Sequence, residues 1–241
     1  VILRESTEGL FYSAAVHGRS QISDDEVLDT LLITRSVTER LHHFAFKLAQ
    51  RRKAKGHKGH VTCVDKANVF ASMAFFRSIF DEVRPAYPDV DVDYNYVDAQ
   101  ALDLVRRPWE FDVMVMENMF GDILSDLGGG LVGGMGMAPC GEIGDEIGLF
   151  QPAHGSAPDI MGQDKANPLA AILSGGLMLD YLGEKLGSKA FSDAADLIDH
   201  AVEAGFTANR IRPMEFGGDM GTKAVASEVL AQVKAKHPVK A

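Results

Sequence analysis

An α/β fold with a mostly parallel sheet is what this sequence predicts, and two observations carry the prediction. Strand-like segments of about five residues alternate with helical patterns along the chain, as successive βα units require. Three of those segments end on charge, as strands do where an open parallel sheet faces a ligand crevice. The chain has 241 residues, which suffices for one large domain or two modest ones with a real core. Hydrophobic residues make up 46% and charged residues 24%, and no run approaches the roughly 20 apolar residues of a spanning helix. The composition is therefore that of a soluble globular protein, without membrane spans or extensive disorder.

Acidic residues outnumber basic ones 34 to 24, a formal net charge of −10, which disfavours nucleic acid and anionic membranes as partners. Cys63 and Cys140 lack metal-type spacing and are too few to staple the chain, which points to a reducing, cytoplasmic location. No secretory signal is visible. The opening Val1-Ile2-Leu3-Arg4 reads as a strand already inside a fold, so a preceding N-terminal segment is expected.

The first clear helix follows Ser36. Ser36 and Glu39 form a capping box, Val37, Leu41, Phe44 and Leu48 repeat at helical spacing, and Arg51, Arg52, Lys53 and Lys55 precede Gly56 at the negative helix end. The same basic run, with His57 and Lys58, would be the core of a plain anion-binding module, although it lacks the interleaved aromatics of a nucleic-acid site. Three strands come next. Val61 to Val64 runs into Asp65-Lys66, Tyr94 to Val97 into Asp98, and Val113 to Met116 into Glu117; the carboxylates either face one crevice or cap the helices that follow.

Asp122 and Asp126 stand four apart, which places both carboxylates on one helix face, a turn apart. Like charges there call for a cation, and hard oxygen ligands select Mg²⁺ or Mn²⁺, with Asp98 as a third donor; the alternative is a solvated acidic face. Ile123, Leu124 and Leu127 suggest that this helix is mostly buried. Lys66, beside that site, would be a general base if metal and burial lower its pKa. Gly128, Gly130 and Gly133 spell G-x-G-x-x-G but follow a helix rather than a strand, so they read as packing glycines, not a dinucleotide fingerprint.

Texture changes near Gly133, which sets the expected domains at 1–132 and 133–241. The second opens Gly-rich and shows a His154-Gly155-Ser156-Ala157-Pro158-Asp159 turn suited to a nucleotide. Asn167-Pro168 then starts a helix through Leu169, Ile172, Leu173, Leu177 and Leu182, with Asn as the cap.

Taken together, these segments resemble the isocitrate and 3-isopropylmalate dehydrogenase family of metal-dependent β-decarboxylating dehydrogenases. The resemblance rests on Arg4-Glu5-Ser6-Thr7-Glu8-Gly9, Asp65-Lys66-Ala67-Asn68-Val69, Tyr96-Val97-Asp98, Glu117 through Asp126, His154 through Asp159, and Asn167-Pro168. It implies a two-lobed, three-layer α/β/α fold lacking the N-terminal portion of the nucleotide domain. It implies a Mg²⁺ or Mn²⁺ site built from Asp122, Asp126 and a partner subunit's Asp98. Arg4 would clamp a substrate carboxylate, and Lys66, also from the partner, would take the hydroxyl proton. Asn68 would lie near the nicotinamide of NAD, and Gly136, His154, Gly155, Ser156, Ala157, Asp159, Ile160 and Asn167 would line the rest of the cofactor. Independently of the resemblance, the Asp159 carboxylate favours NAD over NADP, because it can accept a hydrogen bond from a ribose hydroxyl and repels a 2′-phosphate.

Two departures from the family pattern stand out. A catalytic tyrosine is expected seven residues after the clamp arginine, but Phe11 stands there and Tyr12 follows; Tyr12 by a one-residue shift, or water, would protonate the enolate. The residues that family members carry before Arg4, including two further substrate-binding arginines, are also missing. The resemblance therefore leaves the 2-hydroxy acid open among 3-isopropylmalate, which the Asp65 and Asp159 contexts favour, isocitrate, homoisocitrate, tartrate and D-malate. A non-catalytic regulatory subunit is the rival reading, with Phe11 as its support. The resemblance also implies a homodimer with a shared site. By analogy, strand-like runs from Tyr12 to Val16 and Leu28 to Ile33 would form an arm clasping the partner.

Overall fold

The computed structural model describes residues 1–16 and 19–236. The chain divides into two compact units, one spanning Val1–Gly128 and one starting at Gly129, so the division falls earlier than residue 133 and inside a helix. The first unit contains, in order, β1 (Ile2–Arg4), α1 (Tyr12–Ala15), β2 (Gln21–Ile22), β3 (Val27–Leu28), α2 (Arg35–Ala54), β4 (His60–Asp65), α3 (Ala71–Val83), β5 (Asp91–Tyr96), α4 (Val97–Arg106), β6 (Val113–Met116) and α5 (Asn118–Leu131). β1, β4, β5 and β6 form one parallel sheet in the order β1-β6-β4-β5.

Both faces of that sheet are covered, which is why its central strands read as unbroken apolar runs. Val61, Cys63, Val113 and Val115 pack with Phe46 of α2 and Phe76 and Phe80 of α3. Val64, Met114 and Met116 alternate to the other face and pack with Leu104 of α4 and Phe120 and Leu124 of α5. The result is the expected three-layer α/β/α arrangement.

The second unit holds the antiparallel hairpin β7 (Pro139–Ile143) with β8 (Gly148–Pro152), followed by α6 (Leu169–Leu186), α7 (Lys189–Thr207) and α8 (Thr222–Lys236). Leu169, Ala201, Val202, Ile211, Val225 and Val229 form its core. α6 starts at Leu169 with Pro168 as its cap residue, so Asn167 stands one position before the cap expected of it, although its side chain still accepts the Leu169 N–H at 3.2 Å. No helix among the described residues is long and apolar enough to cross a membrane.

Several local expectations are corrected. α2 starts at Arg35, with Thr34 as its cap residue; Ser36 lies inside the first turn and forms no capping box. Thr34 is placed by the buried Glu8 carboxylate, which accepts both its N–H and its hydroxyl. Tyr12–Ala15 is a short helix, not a strand, because Ser13 ties this turn to Thr30 through its hydroxyl. The antiparallel pair that does form is β2 with β3, and its turn is closed by the Ser23 hydroxyl accepting from Asp25 and Glu26 N–H. Beyond Leu28 the expected strand is reduced to a single bridge from Leu32 to Gly9.

The basic run at the end of α2 and just beyond it serves the fold. Arg52 pairs with buried Asp112 at 2.5 Å, Lys53 donates to the Asp89 carbonyl, and Lys58 donates to the Glu110 carbonyl. Asp65 is likewise structural. It is fully buried, held by two Arg77 bonds of 2.7 and 2.8 Å, and accepts the Ala67 N–H, so it does not face the crevice. We expect Arg77→Met to lose about 3 kcal/mol or more in urea unfolding, because one charge would stay buried and unpaired. The double variant with Asp65→Asn should recover most of that loss.

Candidate active site

The parallel register aligns the carboxyl ends of all four strands. Arg4 is opposite Met116, Met116 opposite Val64, and Val64 opposite Asn95. The residues leaving the sheet at this edge are therefore Arg4 and Glu5, Glu117 and Asn118, Asp65 and Lys66, and Tyr96. The chemistry-bearing side chains among them fall into two groups.

The first group lies where β1 and β6 end. Arg4 donates from Nε and Nη2 to Asn118 Oδ1, at 2.9 and 2.7 Å, and from Nη1 to Asp122 Oδ1 at 2.5 Å. Asn118 is fixed in turn by donating to the Glu8 carbonyl at 2.9 Å. The first turns of α5 can lie against the arginine because Gly121 has no side chain; a Cβ there would sit 2.6 Å from Arg4 Cβ and Cγ. The Phe11 ring stands under the guanidinium, 5.6 Å from Cζ to its centroid, while Tyr12 packs on Arg19 instead. The ring beside Arg4 thus has no hydroxyl.

Asp122 and Asp126 share the outer face of α5, and both are exposed. This corrects the expectation of a mostly buried helix, since Leu124 is in the core but Ile123 is 57% exposed. Two hard carboxylates a turn apart, held open to solvent with Arg4 donating to the Asp122 carboxylate, fit a divalent cation such as Mg²⁺ or Mn²⁺. Among the described residues of one chain, no three His, Cys, Asp or Glu side chains gather to hold a metal.

The second group lies where β4 and β5 end. Lys66 Nζ donates to Asp98 Oδ1 and stands 5.7 Å from the centroid of the Tyr96 ring. The Lys66 ammonium holds the Asp98 carboxyl below its ordinary range. Val97 starts α4 rather than ending β5, so Asp98 sits exposed in a helical first turn. Asn68 is exposed in the turn after Lys66.

In the second unit, His154 through Asp159 form an exposed turn, with Ala157 in the left-handed region at φ +44° and a 3-10 turn over Pro158–Ile160. His154 Nδ1 lies 2.7 Å from the Gly155 carbonyl. Gly136 and Asn167 are brought together by a residue that sequence reasoning missed. Glu215 accepts the Gly136 N–H at 3.1 Å and the Asn167 amide at 3.0 Å, and a Cβ on Gly136 would fall 2.2 Å from its Oε2. Glu215 follows Pro213-Met214 in an irregular stretch with no periodicity to flag it. Asn118, also missed, was within reach, because it stands at the helix start just before the paired aspartates.

Residues 1–233 match the isocitrate/isopropylmalate dehydrogenase family. This chain belongs to that family. Among its relatives is the 3-isopropylmalate/3-methylmalate dehydrogenase of Methanocaldococcus jannaschii, 43% identical over 235 residues, covering 97% of this chain and 67% of that protein. Another is the 3-isopropylmalate dehydrogenase of Carboxydothermus hydrogenoformans, 45% identical over 204 residues, covering 85% of this chain and 52% of that protein. The crystal structure of isocitrate dehydrogenase from Methylococcus capsulatus superposes with a TM-score of 0.82 at 36% identity, over 97% of this chain and 66% of that one. This family member spans between about half and two thirds of the length of the relatives it matches.

Proposed function

We propose that the protein carrying this chain oxidises and decarboxylates a 2-hydroxy dicarboxylic acid of the 3-isopropylmalate type, using NAD and Mg²⁺ or Mn²⁺, in the cytoplasm. The observation that carries the reading is the pair of cation–carboxylate contacts at one sheet edge, Arg4 with Asp122 on one side and Lys66 with Asp98 on the other. Bound metal would supply Lewis acidity to the hydroxyl and then the carbonyl oxygen, and bound NAD⁺ would accept the hydride. Asp122, Asp126 and a second copy's Asp98 would hold the metal. Arg4 binds a substrate carboxylate with a fork already oriented by Asn118. Lys66 takes the hydroxyl proton once its contact with Asp98 is released. Asn68 would bind toward the nicotinamide, and Gly136, His154, Gly155, Ser156, Ala157, Asp159, Ile160 and Asn167 would hold the remainder of NAD. The exposed Asp159 carboxylate suits a free ribose 2′-hydroxyl.

This assignment calls for a homodimer. Leu102 and Val105 are 56 and 61% exposed and follow Asp98 at helical spacing on α4, Trp109 is 71% exposed in the separate turn beyond it, and Ile123 lies beside Asp122 on α5. A second copy covering these apolar stripes would bring one chain's Asp98 and Lys66 to the other's Asp122 and Arg4.

Tyr12 is the proposed acid for the enolate, which requires it to leave Arg19. Tyr12→Phe should lower kcat at least about 100-fold, and an unchanged kcat would assign the proton to water. Phe11 at the clamp favours a second reading, a non-catalytic subunit of such an enzyme. One assay separates the two. The full-length protein is given NAD⁺ or NADP⁺, Mn²⁺ and a panel of 2-hydroxy diacids, and NADH and CO₂ are followed. Turnover with NAD⁺ is expected; NAD⁺ binding without turnover on any acid would favour the subunit.

A further inference from the structure

One residue beyond Met116, the sheet partner of Arg4, stands a carboxyl group for which the proposed mechanism has no use. Glu117 leaves β6 with 1% of its surface exposed. Its Oε1 caps α5 by accepting the Phe120 N–H at 2.8 Å, but its Oε2 is buried without a hydrogen-bond partner. It has no room to turn away. Gly9, at φ +74°, closes over it so tightly that a Cβ there would lie 2.6 Å from Oε2 and 2.9 Å from Asn118 Cβ. Gly9 is itself pinned by two backbone bonds to Leu32, at 2.8 and 3.1 Å.

The charged groups around Glu117 come from each neighbouring element. β1 and the residue after it offer Arg4 and Glu5. Glu8 is engaged by Thr34, and Asp65 at the end of β4 by Arg77. Burial pushes the Glu117 carboxyl above its ordinary range; Glu5 adds to this, while the Phe120 and Met119 amides and Arg4 oppose it. A buried carboxylate with one unsatisfied oxygen is costly, and the neutral acid is the cheaper occupant.

Resting on the reading of Arg4 as a carboxylate clamp, we propose that Glu117 is a positioning residue acting on Arg4 through its charge. As a neutral acid it leaves the guanidinium to Asn118, Asp122 and the incoming carboxylate. As an anion it competes for that guanidinium and repels the ligand.

The test compares the full-length protein with the neutral variants Glu117→Gln and Glu117→Ser, each of which keeps an acceptor for the α5 cap. The sign follows from linkage: a carboxyl raised on folding contributes stability that is fully present below its ordinary value near 4.5 and is lost as pH rises through the folded value. The Tm advantage of either variant over wild type should therefore grow by about 3 °C or more between pH 4.5 and 8. A constant offset in both would overturn the proposal, whatever the assay gives. In turnover, the wild-type KM for the hydroxy diacid should rise with pH at least about threefold more than that of Glu117→Gln, with kcat unaltered. Identical KM profiles would also overturn it. Absence of turnover in every protein would instead sink the functional reading and leave the Tm comparison to decide the role of Glu117.

Discussion

Asp122→Asn should remove metal-dependent turnover, lowering kcat/KM with Mn²⁺ by roughly a thousandfold, the equivalent of several kcal/mol of Lewis-acid assistance. The substitution is nearly isosteric, and its amide oxygen can still accept from Arg4 Nη1, so the clamp keeps its shape. What goes is the negative charge that, with Asp126 one turn on, makes the face attractive to a divalent ion. Because Asp122 is 50% exposed, its replacement should leave the unfolding midpoint within a degree or two of wild type. Activity within tenfold of wild type, at saturating Mn²⁺ and unchanged Tm, would take this carboxylate out of the metal site.

The second large effect concerns the division of the sheet edge into two groups. Lys66→Met and Asp122→Asn should each be inactive as homodimers, because every site would carry one lesion. Mixed by unfolding and refolding together, the two inactive proteins should regain about a quarter of wild-type activity. Random pairing makes half of the dimers mixed, and each mixed dimer has one site with both lesions and one with none. This is a gain from nothing, so small destabilising effects cannot imitate it. If the mixture stays dead while both variants fold and bind NAD, each site is built within a single chain and the shared-site proposal fails.

Much of the first unit was legible because its central strands are buried on both faces and its helices carry strong periodicity; Val61 to Val64 and Val113 to Met116 could hardly be anything else. Around residues 11–34 the sequence misled. Tyr12 to Val16 has the composition of a strand, but its hydrogen bonds are decided by Ser13 reaching Thr30 and Leu32 reaching Gly9, contacts too distant in sequence for any local pattern to register. The charged strand ends show the same limit. Asp65, Asp98 and Glu117 looked alike in sequence, yet one is neutralised by Arg77, one is exposed beside Lys66, and one is buried as a helix cap. Their difference lies in what packs over them. The start of α2 moved for a related reason: Thr34 is set at the helix start by the distant Glu8 carboxylate.

The glycine at position 121 has a consequence for binding rates and affinities. An arginine on an open surface samples many rotamers and must give up as much as about 1.5–2 kcal/mol of entropy to grip an anion. Here the α5 backbone presses on the aliphatic stem of Arg4, and Asn118 and Asp122 grip its fork, so that ordering is complete when the polypeptide folds. On the proposed reading of Arg4 as a clamp, an arriving carboxylate would meet a hand already held out, and its capture would be limited by the exchange of Asp122 for the newcomer rather than by a search among side-chain conformations.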